Sequence, residues 1–113
     1  MFRRIVEDYE AKLAPVDTSR AGHRARGKAE WERYGNDEEE LGIRVRNLDL
    51  PDNTWLDVFL NGGLVGRFVL NGGYGVLRIK SRDGAGVPHV AEGNRIEVSH
   101  SGTALLAGTF VPD

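Results

Sequence analysis

From Lys28 to Phe110 apolar residues recur at every second position, the spacing of a strand with one buried and one wet face. Ala29, Trp31 and Arg33 alternate with Glu30, Glu32 and Tyr34, and Leu41, Ile43 and Val45 alternate with Glu40, Arg44 and Arg46. Further on, Leu56, Val58 and Leu60 share one face, and Trp55, Asp57 and Phe59 share the other. The segments Leu64–Val69 and Tyr74–Lys80 follow, then Arg95–Ser99 with Ile96 and Val98 inward, then Thr103–Phe110. Turn residues separate these runs: Gly35-Asn36-Asp37, Leu50-Pro51-Asp52-Asn53, Asn61-Gly62-Gly63, Asn71-Gly72-Gly73 and Ser101-Gly102. Asn-Gly supplies the positive φ angles of a tight hairpin, so the two Asn-Gly-Gly copies predict three consecutive strands joined by two turns. The pattern predicts a mainly β protein, an antiparallel β-sandwich or partly open barrel of about seven strands, with the sandwich preferred. The long Ser81–Glu92 connection is where a strand can change sheets.

The first residues read differently. Phe2, Ile5, Val6, Tyr9 and Leu13 lie at helical spacing, and Pro15 ends the run, which predicts a short N-terminal helix with one apolar stripe. A helix of about three turns is marginal alone, so the stripe must cap the β-core or dock on another subunit. Val16–Gly27 has no periodicity and reads as a linker or extended arm. The expected organisation is a helix and arm over 1–27 and an antiparallel β-domain over 28–113, together one globular unit. Phe2, Ile5, Val6, Tyr9 and Leu13 are the candidate interface residues.

Charge changes this picture locally rather than globally. The 113-residue chain carries a formal charge of −2, which gives no overall drive toward nucleic acid or anionic membranes. Arg20, His23, Arg24, Arg26 and Lys28 make the arm basic, while Asp37–Glu40 is acidic. The acidic run beside a short basic stretch argues against nucleic acid and favours pairing of the two blocks within the chain or across a dimer. There is no cysteine, hence no disulfide and no thiolate chemistry. No apolar run approaches a membrane span and no signal-peptide core is present, so a soluble chain without a membrane partner is expected, a cytoplasmic one in preference.

Candidate chemistry is sparse. His23, His89 and His100 share no helix face or strand alternation, so their spacing defines no metal site. Ser99-His100-Ser101-Gly102 lacks the strand–turn–helix elbow that presents a nucleophile and reads as a polar turn. The Asn-Gly-Gly turns precede β-pattern residues, not a helix N-terminus, and are not phosphate cradles. Asp57 stands between Trp55 and Phe59, the arrangement of a sugar-stacking surface in which rings offer an apolar platform and the carboxylate takes hydroxyl hydrogen bonds. The competing reading pairs Asp57 with Arg67 or Arg78 on a neighbouring strand. Trp55, Asp57 and Phe59 are the candidate ligand-binding residues; no catalytic residue, metal or cofactor is expected.

The segments Leu50–Gly62, Val65-Gly66, Gly73–Ile79, Asp83-Gly84, Val87-Pro88, Glu92-Gly93 and Leu105–Phe110, with Ala29–Glu32 before them, carry a resemblance. In these pieces the chain resembles small uncharacterised bacterial all-β domains, found in hypothetical proteins and in products of mobile gene cassettes. The resemblance implies an all-β fold and brings no activity or catalytic residue. The sequence is therefore read as a non-enzymatic binding or assembly module that self-associates through the N-terminal segment or an aromatic strand face. Binding of a small polar, glycan-like ligand at Trp55, Asp57 and Phe59 is the alternative. A homo-oligomer or another protein is the expected partner.

Overall fold

The computed structural model describes residues 4–84 and 86–113. Among these residues there are nine strands: β1 (Ile5–Pro15), β2 (Arg26–Tyr34), β3 (Glu39–Arg46), β4 (Thr54–Leu60), β5 (Gly63–Leu70), β6 (Gly75–Lys80), β7 (Arg95–His100), β8 (Thr103–Thr109) and β9 (Val111–Pro112). All pairings are antiparallel, in the order β5-β4-β7-β8-β1-β2-β3-β6, with β9 also on β1. The sheet curls into a nearly closed barrel, with nine strands where about seven were expected.

The N-terminal helix is a correction: Ile5–Pro15 is the strand β1. A spacing of four residues belongs to both periods, so Ile5, Tyr9 and Leu13 satisfy a helix stripe and a strand face equally well. Ala11, a small apolar residue at the intervening position, breaks the tie, and it is buried together with Leu13. β1 pairs β2 along most of its length and β8 and β9 on its other side, so it joins the two halves of the barrel. Its connection to β2 contains one turn of helix, α1 (Thr18–Ala21), capped by Asp17, whose side chain accepts from the Ser19 amide at 2.9 Å. Ala21 and Ala25 are fully buried, so this arm is folded against the barrel.

Closure differs at the two Asn-Gly-Gly turns. Asn61 and Gly62 both have positive φ, and β4 and β5 form the expected hairpin. After Asn71-Gly72-Gly73 the chain makes a single bridge, Asn71 to Tyr74, and then β5 and β6 separate. Side chains fill that seam in place of a hydrogen-bonded ladder. A Cβ on Gly66 would lie 2.7 Å from Leu77, and one on Gly75 would lie 2.5 Å from the Phe68 ring. The second turn is thus a corner, passing the chain from the β4–β5 side to the β3–β6 side. Ser81–Glu92 then carries it from β6 back to β7, between the two halves.

The interior is filled by the inward alternation: Ala29 and Trp31, Leu41, Ile43 and Val45, Leu56 and Val58, Phe68 and Leu70, Ile96 and Val98, closed by Leu106 and Phe110. At roughly 1.5–3 kcal/mol per large side chain, burial of this set supplies the main drive for folding. The outer face of β1, β2 and β3 is mostly charged, that of the β4–β5 hairpin carries apolar residues as well, and these faces are where a partner can be met.

Candidate functional site

The outward residues of β1, β2, β3 and β6 form four rows across the sheet. Asp8, Glu32, Glu40 and Lys80 make the first row; Glu10, Glu30, Gly42 and Arg78 the second. Lys12, Lys28, Arg44 and Val76 make the third, and Arg26 opposite Arg46 the fourth. Along β1, β2 and β3 the charge changes sign midway. Like charges therefore stand directly opposite one another in six pairs: Asp8–Glu32, Glu32–Glu40, Glu10–Glu30, Lys12–Lys28, Lys28–Arg44 and Arg26–Arg46. Direct opposition of like charge costs stability in a sheet.

Internal compensation is partial. Lys28 sits at the boundary, its ammonium 3.1 Å from both Glu10 and Glu30, and these bonds hold its pKa above the ordinary lysine value. The Tyr34 hydroxyl lies 3.1 Å from Glu32 and 3.3 Å from Glu40. Arg26 donates to the backbone oxygens of Ala25 and His23. Among the described residues no carboxylate lies within ion-pair distance of Lys12, Arg44 or Arg46. On the acidic side one Asp8 carboxylate oxygen is buried without a hydrogen-bond partner. Burial first, then Asp113, Glu32, Glu30 and Glu10, push the Asp8 carboxyl up to about 6.

Two depressions lie on this face. The basic rows and Tyr74 line a cleft of about 520 Å³, together with Leu13, Gly27 and Val45. A smaller dent of about 130 Å³ lies over Gly42, between Glu30, Glu40 and Arg78. A Cβ on Gly42 would have nothing within 4 Å, so the dent is open space left by the missing side chain.

The opposite side of the barrel carries Trp55, Asp57 and Phe59 together on the outer face of β4, as their alternation predicts. Trp55 is 62% exposed and stands opposite Val69; Phe59 is half-buried opposite Leu64. Asp57 is held by Arg67, Nε to Oδ1 at 2.7 Å, so its carboxylate already has a cation across the strand. His100 lies 3.1 Å from the Trp55 carbonyl, and His89 packs edge-on against the buried Trp31 ring at 5.3 Å. Among the described residues no group of three His, Asp or Glu side chains is placed to hold a metal ion. No helix among them is long and apolar enough to cross a membrane.

The proposed interface set is dispersed by the change from helix to strand. Ile5 and Val6 are about half exposed near the start of β1. Tyr9 packs on Trp31 with ring centroids 5.9 Å apart and donates to Glu7. Leu13 is a core residue, and Phe2 lies outside the described residues. The four charged rows were missed because sequence spacing contains no strand register. Their one signal was the sign change along each strand: Asp8 and Glu10 before Lys12, Arg26 and Lys28 before Glu30 and Glu32, Glu40 before Arg44 and Arg46. No protein-family model and no curated protein matches this chain.

Proposed function

We propose that the chain is a non-enzymatic binding and assembly module whose basic cleft receives an acidic protein surface. The observation that carries this reading is the set of three directly opposed cation pairs around the cleft, with no carboxylate beside Lys12, Arg44 or Arg46 among the described residues. A counter-charge brought from outside relieves the opposition and gains several charge-assisted contacts at once. A protein surface suits the site better than nucleic acid, because the acidic rows begin two residues away on the same strands and repel a phosphate backbone laid along the face. The test is titration with poly-L-glutamate and with a single-stranded oligonucleotide at low salt. Poly-glutamate should bind, and Arg44→Glu with Arg46→Glu should weaken it at least tenfold. Absence of binding, or equal binding by the variant, overturns the reading, and tighter oligonucleotide binding reassigns the partner.

A second reading rests on the exposed indole of Trp55, on one face with Phe59: a flat polyhydroxylated ligand stacks there, with Asp57 shared between it and Arg67. Trp31 is fully buried, so a sugar panel that shifts the red, quenchable part of the tryptophan emission supports it, and an unresponsive spectrum removes it.

A further inference from the structure

We infer that the acidic surface received by the cleft is the acidic half of the same face on a second copy, giving a two-fold, face-to-face dimer. The inference rests on the binding reading above and names its partner. A two-fold axis lying in the face, parallel to the rows and between the second and third, places each strand over its own copy in reverse order. On β1, Glu10 then faces Lys12 of the second copy. On β2, Glu30 faces Lys28 and Glu32 faces Arg26. On β3, Glu40 faces Arg46, and Arg44 of the second copy enters the dent over Gly42. On β6, Arg78 of the second row faces Val76 of the second copy. Every one of these matches follows from the observed register and is repeated by symmetry.

The same arrangement accounts for the glycine. Gly42 interrupts an outward row of long charged side chains in a strand interior, where glycine is normally unfavourable, and it does so without a positive φ to justify it. The dent is lined by Glu30, Glu40 and Arg78, and an arginine arriving between the two carboxylates needs that space. Strand spacing and rise give the four rows a footprint of roughly 14 by 20 Å between the outermost backbones. That is below the roughly 800 Å² per partner of a standard stable interface, so the dimer is a weak, charge-held one that salt dissolves.

The experiment is sedimentation of the full chain at high micromolar concentration, in low and in 0.5 M salt. A dimer at low salt that becomes monomeric at 0.5 M is expected; a monomer at both overturns the inference. Two charge-reversed chains then test the register, Arg26→Glu with Arg46→Glu in one and Glu32→Arg with Glu40→Arg in the other. Each alone should be monomeric, and their equimolar mixture should restore a 1:1 dimer. A mixture that stays monomeric while both chains show wild-type far-ultraviolet circular dichroism also overturns it. Gly42→Phe guards against loss of folding: it keeps every charge and its Cβ enters open space, with the ring over the dent, so thermal stability should hold while the dimer dissociation constant rises at least tenfold. An undiminished dimer in Gly42→Phe counts against the face. Should the wild type be monomeric yet bind poly-glutamate through Arg44 and Arg46, the second copy is excluded and the basic cleft remains.

Discussion

The two outer faces of this barrel treat charge in opposite ways. On the β4–β5 hairpin the one cross-strand charge pair is matched, Asp57 against Arg67 at 2.7 Å, and aromatic–aliphatic pairs flank it. On β1, β2 and β3 every fully charged cross-strand pair of the four rows is a like-charge pair. Both faces belong to one antiparallel barrel, so backbone geometry does not separate them. The difference lies in where the opposite charge comes from. The hairpin finds it across a single strand gap, whereas the β1–β3 face holds each sign in a block and offers it outward. A face that satisfies itself needs no partner for its ions; a face that sorts its charges is stabilised by meeting its complement.

The largest effect is expected where both faces depend on one strand. A Cβ on Gly108 of β8 would collide with the Lys12 carbonyl and crowd Leu13, at the place where β1 is held between the halves. Gly108→Ala should destabilise the chain by about 2–3 kcal/mol, because backbone rather than a flexible side chain must move. For a domain of this size that lowers Tm by roughly 10 °C. Gly42→Ala on the charged face should be neutral or gain up to about 1 kcal/mol, since a strand interior favours a side chain and the space is empty. Equal melting curves for the two variants would show that β1 is not under the constraint described.

The contrast between those glycines also marks how far the sequence is legible. The strands from Lys28 to Thr109 are readable because strict alternation and positive-φ turn residues coincide, as at Asn61-Gly62 and Ser101-Gly102, while the first two residues of β2 fall in the segment read as the arm. β1 is misread because Ile5, Tyr9 and Leu13 satisfy two periods and Ala11 is too small to weigh in a count of apolar residues. β9 is two residues long and has no pattern of its own. Trp55, Asp57 and Phe59 share a face because alternation alone decides it, and Asp57 has one of the two arginines foreseen for it. The charged face needs register as well. Only pairing β1 with β2 and β2 with β3 in the observed alignment stacks acid on acid and base on base, and a shift by one residue turns every side chain to the other surface.

A mid-sized effect is expected at Asp8, which tests the acidic block in the monomer. Its folded carboxyl sits at about 6, above the 3.8 of an unperturbed aspartate, through burial and then Asp113, Glu32, Glu30 and Glu10. A raised folded pKa means the native state holds the proton more tightly. The stabilisation is complete below about pH 4 and is lost as pH rises through 6. At pH 7 the charged Asp8 opposes folding. For a fully buried carboxyl a rise of this size would correspond to about 3 kcal/mol, and the partial solvent access of Asp8 reduces it to about 1 kcal/mol. Asp8→Asn should therefore stabilise dilute, monomeric protein by about 1 kcal/mol at pH 7 and by little at pH 4, read from denaturant midpoints at both. A gain that is the same at both pH values would remove the charge explanation.

The smallest effects carry the sign of the comparison itself. A double-mutant cycle on Asp57 and Arg67 should return a favourable coupling of about 0.5 kcal/mol, the value of a well-aligned pair whose arginine is exposed and whose aspartate is half-buried. The same cycle on Lys12 and Lys28, also directly opposite across a strand gap, should return an unfavourable coupling of a few tenths of a kcal/mol in the monomer. Salt should shrink both toward zero, from opposite sides. The sign matters more than the size, because a cycle cancels the changes in strand propensity that each single alanine introduces. Favourable coupling between Lys12 and Lys28 would mean that Glu10 and Glu30 already absorb the opposition through the Lys28 ammonium. The charged face would then be self-sufficient like the hairpin, and an incoming acidic surface would have no opposition left to relieve.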